Sequence, residues 1–429
     1  MSFLAALVLF GGASRADALT QPFIRLFSIG VIGFAVWNTA RDSWTGLRVP
    51  LGLLSAFAVL CVIQLLPLPP SVWPMLPGRS TLAEALLSAG LPLGWRPWSL
   101  APDGTINTLL ATLPAFALLA MIVLIGPGRL HLSIPILIGL VLVCLGFGLL
   151  QITAGGPYFY SVTNRGTPVG FFANRNHAAL LLAMVFPLLA AWVLTNKNRQ
   201  ENQPGRLILA GVIALLVPAM LLVNGSRGGL LAGGVGLLGA AALFYRNRRN
   251  LKIDKKARIM ILGFAGLSVI ILLAFILTSN DLALTRLLGD GGPEVRAQAL
   301  PTLWLMAKAY LPFGSGLGSF DQVFRIFEPD FMISSKYFNH AHNDYLELLI
   351  EGGVFTVGLL AIAAIWILKR FVVIWRSDGG SANANLAFCA TIMLVQIMLF
   401  SVFDYPVRTP FIMALAAYCA ACMSRFTTD

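Results

Sequence analysis

Two histidines stand two residues apart at the edge of an apolar segment, in His340-Ala-His342-Asn343-Asp344-Tyr345. Histidine is the side chain best suited to take a proton near neutral pH. His342 ends a polar stretch and opens an apolar one that also holds Glu347 and Glu351. A neighbouring carboxylate, Asp344 or Glu347, can orient its ring, with His340 and Asn343 as further supporting residues. A metal reading of His340-x-His342-x-Asp344 competes. The chain has only two other histidines, His131 and His177, and a catalytic zinc takes three protein ligands. The pattern therefore favours general-base chemistry without a metal.

Arginines stand close to this group in several motifs. Phe171-Phe-Ala-Asn-Arg-Asn-His177 directly precedes an apolar segment. Asn174 or Asn176 can cap the helix that begins there, leaving Arg175 at its positive end, where an anion is readily held. The plainer alternative is a capping turn with an interfacial arginine. Asn224-Gly-Ser-Arg227-Gly-Gly229 is a tight turn between two apolar segments. Its glycines permit unusual backbone angles. Arg227 falls at the start of the next helix, at membrane depth, where a charge is costly without a partner or a polar cavity. Arg296 precedes the run Gly314-Ser-Gly-Leu-Gly-Ser319. That run is neither a phosphate loop nor a dinucleotide fingerprint, because the strand and the Lys-Ser/Thr ending are missing. Arginine presents a planar fork that suits phosphate. Ordinary ion pairing with Asp281, Asp290, Glu294, Asp321, Glu328 or Asp330 is the alternative for any one of them.

The elements that must position these residues cross a membrane. Of the 429 residues, 58% are hydrophobic and 11% are charged, against roughly 25% charged in a soluble domain. The apolar residues fall in blocks long enough to cross a bilayer, about 20 residues per helix. Val, Leu, Ala and Gly dominate them without period-2 alternation, so helices and not a barrel are expected. Twelve spans are predicted, at roughly 2–13, 22–39, 49–66, 106–126, 131–152, 177–195, 206–223, 228–245, 258–278, 346–368, 385–403 and 409–424. The chain reads as one all-α polytopic domain over 1–429, with long loops near 67–105 and 279–345, the second before the tenth span. The segment Phe3 to Phe10 lacks a basic stretch before it and an Ala-x-Ala site after it, and reads as a short first helix rather than a removed signal. Cys61, Cys144, Cys389, Cys419 and Cys422 lie in apolar segments as small hydrophobes, without disulfide or zinc spacing.

Basic residues set the expected orientation. With a cytoplasmic N-terminus, the same side carries Arg41, Arg48, Arg129, Lys369, Arg370, Arg376, Arg425 and the run from Arg246 to Arg258. Short loops loaded with Lys and Arg stay in the cytoplasm. Nearly all of the net charge of +12 then lies there, as topological anchors facing anionic lipid rather than as a nucleic-acid surface. The opposite face is near neutral and carries His342 with Arg175, Arg227 and Arg296.

The stretch from His342 resembles the O-antigen ligase and polymerase family, whose pattern is His-Asn, nine residues, Gly, two residues, then Gly, Thr or Tyr. Here it reads His342-Asn343, Asp344 to Gly352, then Gly353, Val354, Phe355 and Thr356. Gly-Ser-Gly-Leu-Gly-Ser-Phe320, Ser226-Arg227-Gly228 and Asn-Arg-Asn-His are similar to the same family, and together the matches cover about 170–356. The resemblance implies a GT-C-like helical glycosyltransferase of the bacterial inner membrane, with its active site facing the periplasm. It implies a glycan donor on undecaprenyl pyrophosphate. The acceptor is lipid A core for a ligase, or another repeat unit for a polymerase. It implies His342 as the catalytic base and Arg227 and Arg296 as pyrophosphate contacts, with Arg175 outside that core set, and it implies no cofactor. The residues allow this chemistry: arginines can neutralise a leaving pyrophosphate without a metal, and a neutral histidine can deprotonate a sugar hydroxyl. Two other classes compete. A secondary transporter suits twelve spans, but it places its charges and broken helices near mid-membrane. A metal-dependent hydrolase is short of ligands.

Overall fold

The computed structural model describes residues 2–195, 203–249, 263, 266–267, 292–333 and 338–426. The expected span at 258–278 lies almost wholly outside these residues, as do parts of the Arg246–Arg258 run and of the 279–345 loop. Helices dominate: α1 (Ser2–Phe10), α2 (Gln21–Asn38), α3 (Arg48–Leu65), α4 (Ser80–Ser88), α5 (Pro102–Ala111), α6 (Leu113–Ile125), α7 (Ser133–Thr153), α8 (Arg175–Ala183), α9 (Val185–Thr195), α10 (Gln203–Asn224), α11 (Arg227–Arg246), α12 (Gly292–Tyr310), α13 (Phe320–Phe327), α14 (Asp344–Arg376), α15 (Ala382–Phe400) and α16 (Pro410–Arg425). Among the described residues the sheet content is one two-residue antiparallel pair, β1 (Pro67–Leu68) on β2 (Arg96–Pro97).

Eight helical stretches among the described residues are long and apolar enough to cross a membrane, and Pro410–Arg425 is a shorter apolar helix. Nine of the twelve expected spans thus have helical counterparts of that kind, and the protein is a polytopic helical membrane protein. Two expected spans differ. The one at 2–13 is the nine-residue helix α1, which at 1.5 Å per residue covers about half of a hydrocarbon core. The one at 22–39 is helical as α2, but Gln21, Arg25 and Asn38 dilute its apolar face. Many apolar residues on α14 remain exposed, including Val354, Ile362, Ile365 and Leu368, as expected of a lipid-facing helix.

The main core joins α6 to α11 with α15 and α16. Small residues let α11 sit close to its neighbours: a Cβ on Gly229 would stand 2.4 Å from Ala179 Cβ, and one on Gly239 2.4 Å from an Ile392 methyl. A second, smaller core joins α12, α13 and the start of α14, and buries Ala341 between the two histidines.

α14 is broken at Gly353 (φ 57°, ψ −144°). Only glycine adopts that conformation readily, and a Cβ there would meet the Pro312 carbonyl oxygen at 2.0 Å. The break frees backbone groups that must find new partners. The loop before α13 supplies them: Ser315 N donates to Ile350 O, Gly316 N to Glu351 O, and Val354 N donates to Pro312 O, each at 2.9 Å. The glycine run is therefore more than a flexible turn. It is bonded along the broken helix.

The two ends of the bundle differ. At one end Arg246 bonds Ser377, Arg370 bonds the Met423 and Phe426 carbonyls, and Arg425 bonds Ser43 O. At the other end lie the starts of α8, α11, α14 and α16, with the motifs singled out above.

Candidate active site

Asn343 caps α14, its side chain accepting from Leu346 N at 3.0 Å. The residue before it, His342, has φ 51°, the one positive φ among the described non-glycine residues. Such a conformation costs about 1–3 kcal/mol and persists where its surroundings impose it. Here the buried Ala341 on one side and the cap on the other do so.

The carboxylate facing His342 is Asp404. His342 Nδ1 lies 3.4 Å from Asp404 Oδ1, a contact in ion-pair range but longer than a good hydrogen bond. Asp404 follows α15 and is 1% exposed. Its Oδ1 accepts from Tyr405 N at 2.9 Å, and its Oδ2 accepts from Asn176 Nδ2. Asn176 belongs to the Asn174-Arg-Asn-His177 motif, so the start of α8 is tied to the histidine through one carboxylate. Burial alone would raise the Asp404 carboxyl. The His342 contact and the positive fields of His342, His177 and Arg296 outweigh it and hold the group well below the usual carboxylate range. Burial pushes His342 below the ordinary histidine value, and Asp404 offsets only part of that. The histidine is thus neutral near pH 7. With Nδ1–H turned to Asp404, its Nε2 is left to accept a proton.

Sequence reasoning assigned the orienting carboxylate to Asp344 or Glu347, and the structure corrects this. Glu347 Oε1 meets His340 Nδ1 at 2.8 Å, and its Oε2 accepts from Ala341 N. Asp344 Oδ2 accepts from Ser401 Oγ. Asp344, Glu347 and Glu351 repeat at helical spacing on one face, and that face turns to Arg408, at 3.6, 3.3 and 3.0 Å. Burial would lower the Arg408 guanidinium, but the three carboxylates more than restore it and keep it charged. The aromatic ring of Tyr405 lies against both histidines, with centroids 4.2 Å from His340 and 4.9 Å from His342. Asp404 and Arg408 were both missed as partners. Their only sequence signal is two opposite charges in a short loop between the last two apolar segments.

Arg296, on α12, donates from Nη1 to Phe403 O at 3.2 Å, and its charge is felt by His342, Asp404 and Tyr405. Arg175 and Arg227 open α8 and α11. Their caps are Asn174, accepting from Asn176 N, and Ser226, accepting from Gly229 N. Asn224 joins the two turns, donating to Pro168 O at 2.8 Å and to Arg175 O at 3.0 Å. Arg227 is exposed, with no hydrogen bond or ion pair among the described residues. The structure thus gathers His340, His342, Asn343, Asp344, Glu347 and Arg296 around Asp404 and Tyr405. It sets two arginine-bearing helix starts beside them, a geometry suited to anions. Among the described residues no group of three or more His, Cys, Asp or Glu is arranged for a metal ion.

Residues 209–363 match the O-antigen ligase family model. That is the family whose motifs the sequence resembles. No curated protein matches the chain. The match to the O-antigen ligase family takes in Arg227, Arg296, the glycine run, His340 to Glu347, Gly353 and Thr356, while Arg175, Asn176, Asp404 and Arg408 lie outside it. The family pattern also gains a physical reading. Asn343 caps α14, Gly353 makes the break, and Thr356 Oγ1 donates to Leu348 O and Gly353 O across it.

Proposed function

We infer that this protein transfers a glycan from undecaprenyl pyrophosphate to an acceptor hydroxyl at the periplasmic face of the bacterial inner membrane. The observation that carries this reading is the His342–Asp404 pair beside Arg296 and two arginine-bearing helix starts. The O-antigen ligase family is of ligase or polymerase type, which supports an enzyme acting on lipid-linked glycans.

In this mechanism neutral His342 takes the proton of the acceptor hydroxyl at Nε2. The acceptor oxygen attacks the anomeric carbon, the bond from that carbon to the pyrophosphate oxygen breaks, and its electron pair leaves with the pyrophosphate. One displacement inverts the sugar carbon. Arg227 and Arg296, with Arg175 nearby, neutralise the charge that develops on the leaving group. Asp404 steadies the imidazolium as it forms, following the logic of an Asp-His pair. The acceptor favoured by the family description is lipid A core, and a repeat unit, as in a polymerase, is the alternative. Assaying both acceptors with one donor separates the two.

The test is transfer in reconstituted membranes supplied with a lipid-pyrophosphate glycan. His342→Ala abolishes transfer while the protein still inserts, and His340→Ala is milder. Loss of activity in His340→Ala with retention in His342→Ala would assign the base to the other histidine. Abolition of transfer by a chelator would restore the metal reading.

A further inference from the structure

A cavity of about 610 Å³ opens on the carboxylate side of the site, between the segment leading into α2, the start of α5 and the first turns of α14. Small-molecule sites span roughly 300–1,000 Å³. Asn339 and His340 line it, so it reaches the loop that carries His342. Arg175, Arg227 and Arg296 do not line it. Its charge is also opposite in sign to theirs. Asp17, Asp103, Asp321, Asp344, Glu347 and Glu351 stand against three arginines in its lining.

Two lining acceptors have no hydrogen-bond donor among the described residues: Gln21 Oε1 and Asp344 Oδ1. Gln21 is 3% exposed and Asp344 2%. The orientation of Gln21 is fixed, because its Nε2 donates to Ala13 O at 2.9 Å. Asp344 already takes a bond on its other oxygen, and Arg408 Nε stands 3.6 Å from Oδ1, beyond hydrogen-bond reach. Buried acceptors left without donors are costly and rare. A ligand that presents O–H or N–H groups would satisfy both. Phe57 and Leu348 add apolar wall to the same cavity, which suits the C–H face of a sugar ring.

We propose that this cavity is the acceptor subsite, and that it takes the uncharged or amine-bearing terminal sugar of the acceptor while its carboxylates turn phosphorylated sugars away. The proposal rests on the transfer reading given to His342. It also separates the substrates: the anionic donor head lies on the arginine side, and the acceptor sugar lies on the carboxylate side.

Two measurements test it. In membranes holding the full-length protein, initial rates of transfer are taken against acceptor and against donor separately. Gln21→Leu raises the acceptor KM roughly three- to tenfold, the effect of one lost hydrogen bond, and leaves the donor KM unchanged. An unchanged acceptor KM, or a shift in the donor KM instead, overturns the proposal. In the second measurement detergent-solubilised protein is probed by saturation-transfer NMR with glucosamine and with glucosamine 6-phosphate, no donor being present. Glucosamine is saturated, less so with Gln21→Leu, and the phosphate ester is not. Asp103→Lys, at the exposed rim, admits the ester. Equal saturation of both sugars by the unaltered protein, or of neither, overturns the proposal. The binding measurement needs no turnover, so retained transfer by His342→Ala would refute the catalytic reading while leaving the binding result to stand or fall separately.

Discussion

Asp404→Asn removes one charge from a buried site with almost no change in volume, which makes it the sharpest test of how His342 is tuned. At 3.4 Å a full Asp–imidazolium pair is worth about 5 kcal/mol at an effective dielectric constant of 20. That attraction exists only once the histidine has taken its proton, so it acts on the transition state more than on the resting enzyme. Arg296 already opposes the imidazolium, and with Asp404 gone that repulsion is uncompensated. Asparagine also brings one carbonyl oxygen where two carboxylate oxygens had accepted from Tyr405 N and Asn176 Nδ2. Its amide must therefore face another donor, or turn its N–H groups to His342 and favour the wrong tautomer. With 1.4 kcal/mol per tenfold, and part of the Coulomb energy recovered by relaxation, kcat should fall about a thousandfold. The donor KM should change little, because Asp404 does not hold phosphate. The assay is single-turnover transfer of a labelled lipid-linked glycan in proteoliposomes, with folding checked by protease resistance. Turnover within threefold of the unaltered protein would refute the argument and leave Asp404 as a structural anchor for α8.

Arg227→Ala should cost about a hundredfold in turnover of the lipid-pyrophosphate donor, as expected for lost charge-assisted bonds, and Arg227→Lys should recover only part of it because the fork is gone. Arg296 should behave similarly in the same assay, while Arg325, paired with Asp321 on the exposed side of α13, should tolerate both changes. Gly353→Ala should destabilise the protein by about 3 kcal/mol or more, from a backbone angle that alanine resists and a Cβ driven onto the Pro312 carbonyl, read as a lowered midpoint of thermal unfolding in detergent. The acid limb of kcat against pH should lie below 6.5, the ordinary histidine value, because burial lowers His342 more than Asp404 raises it and the base works only when neutral. A limb above 6.5 would show that the histidine is better solvated, or more strongly paired, than its surroundings indicate.

The helix caps were legible before any coordinates: Asn174, Ser226 and Asn343 are small polar residues directly before apolar runs, and all three accept from the following turn. Most spans were legible too, because a bilayer demands long apolar helices. The orienting carboxylate was not. Asp344 and Glu347 are the nearest acids to His342 along the chain, but the cap at Asn343 starts a helix whose periodicity carries them round to Arg408. Asp404 lies a whole span further on, in a turn with no motif, and reaches His342 only because α15 returns to the same end of the bundle. Such pairings are set by packing between distant helices, which local spacing does not encode. The same limit applied to Gly314 to Ser319, whose partner is the break in α14.

That break explains why glycines and a histidine belong to one pattern though only the histidine has proton chemistry. An unbroken α14 would keep the carbonyls of Ile350 and Glu351 within its own ladder and offer nothing to the loop before α13. With the break, Ser315 and Gly316 donate to those carbonyls, and Gln64 bridges the same place, its Nε2 donating to Glu351 O and its Oε1 accepting from Leu317 N. Glu351 Oε1 accepts from Phe320 N, at the start of α13, while Oε2 meets Arg408. The chain of contacts from the glycine run to the loop of Asp404 and Arg408 is therefore continuous. A side chain added at Gly314, which would stand 2.4 Å from Glu351 O, disturbs the position of Arg408 and the carboxylates around it without touching His342. The pattern conserves the frame in which a histidine at positive φ can be held against a carboxylate from another helix, and the frame is as necessary to proton transfer as the ring that performs it.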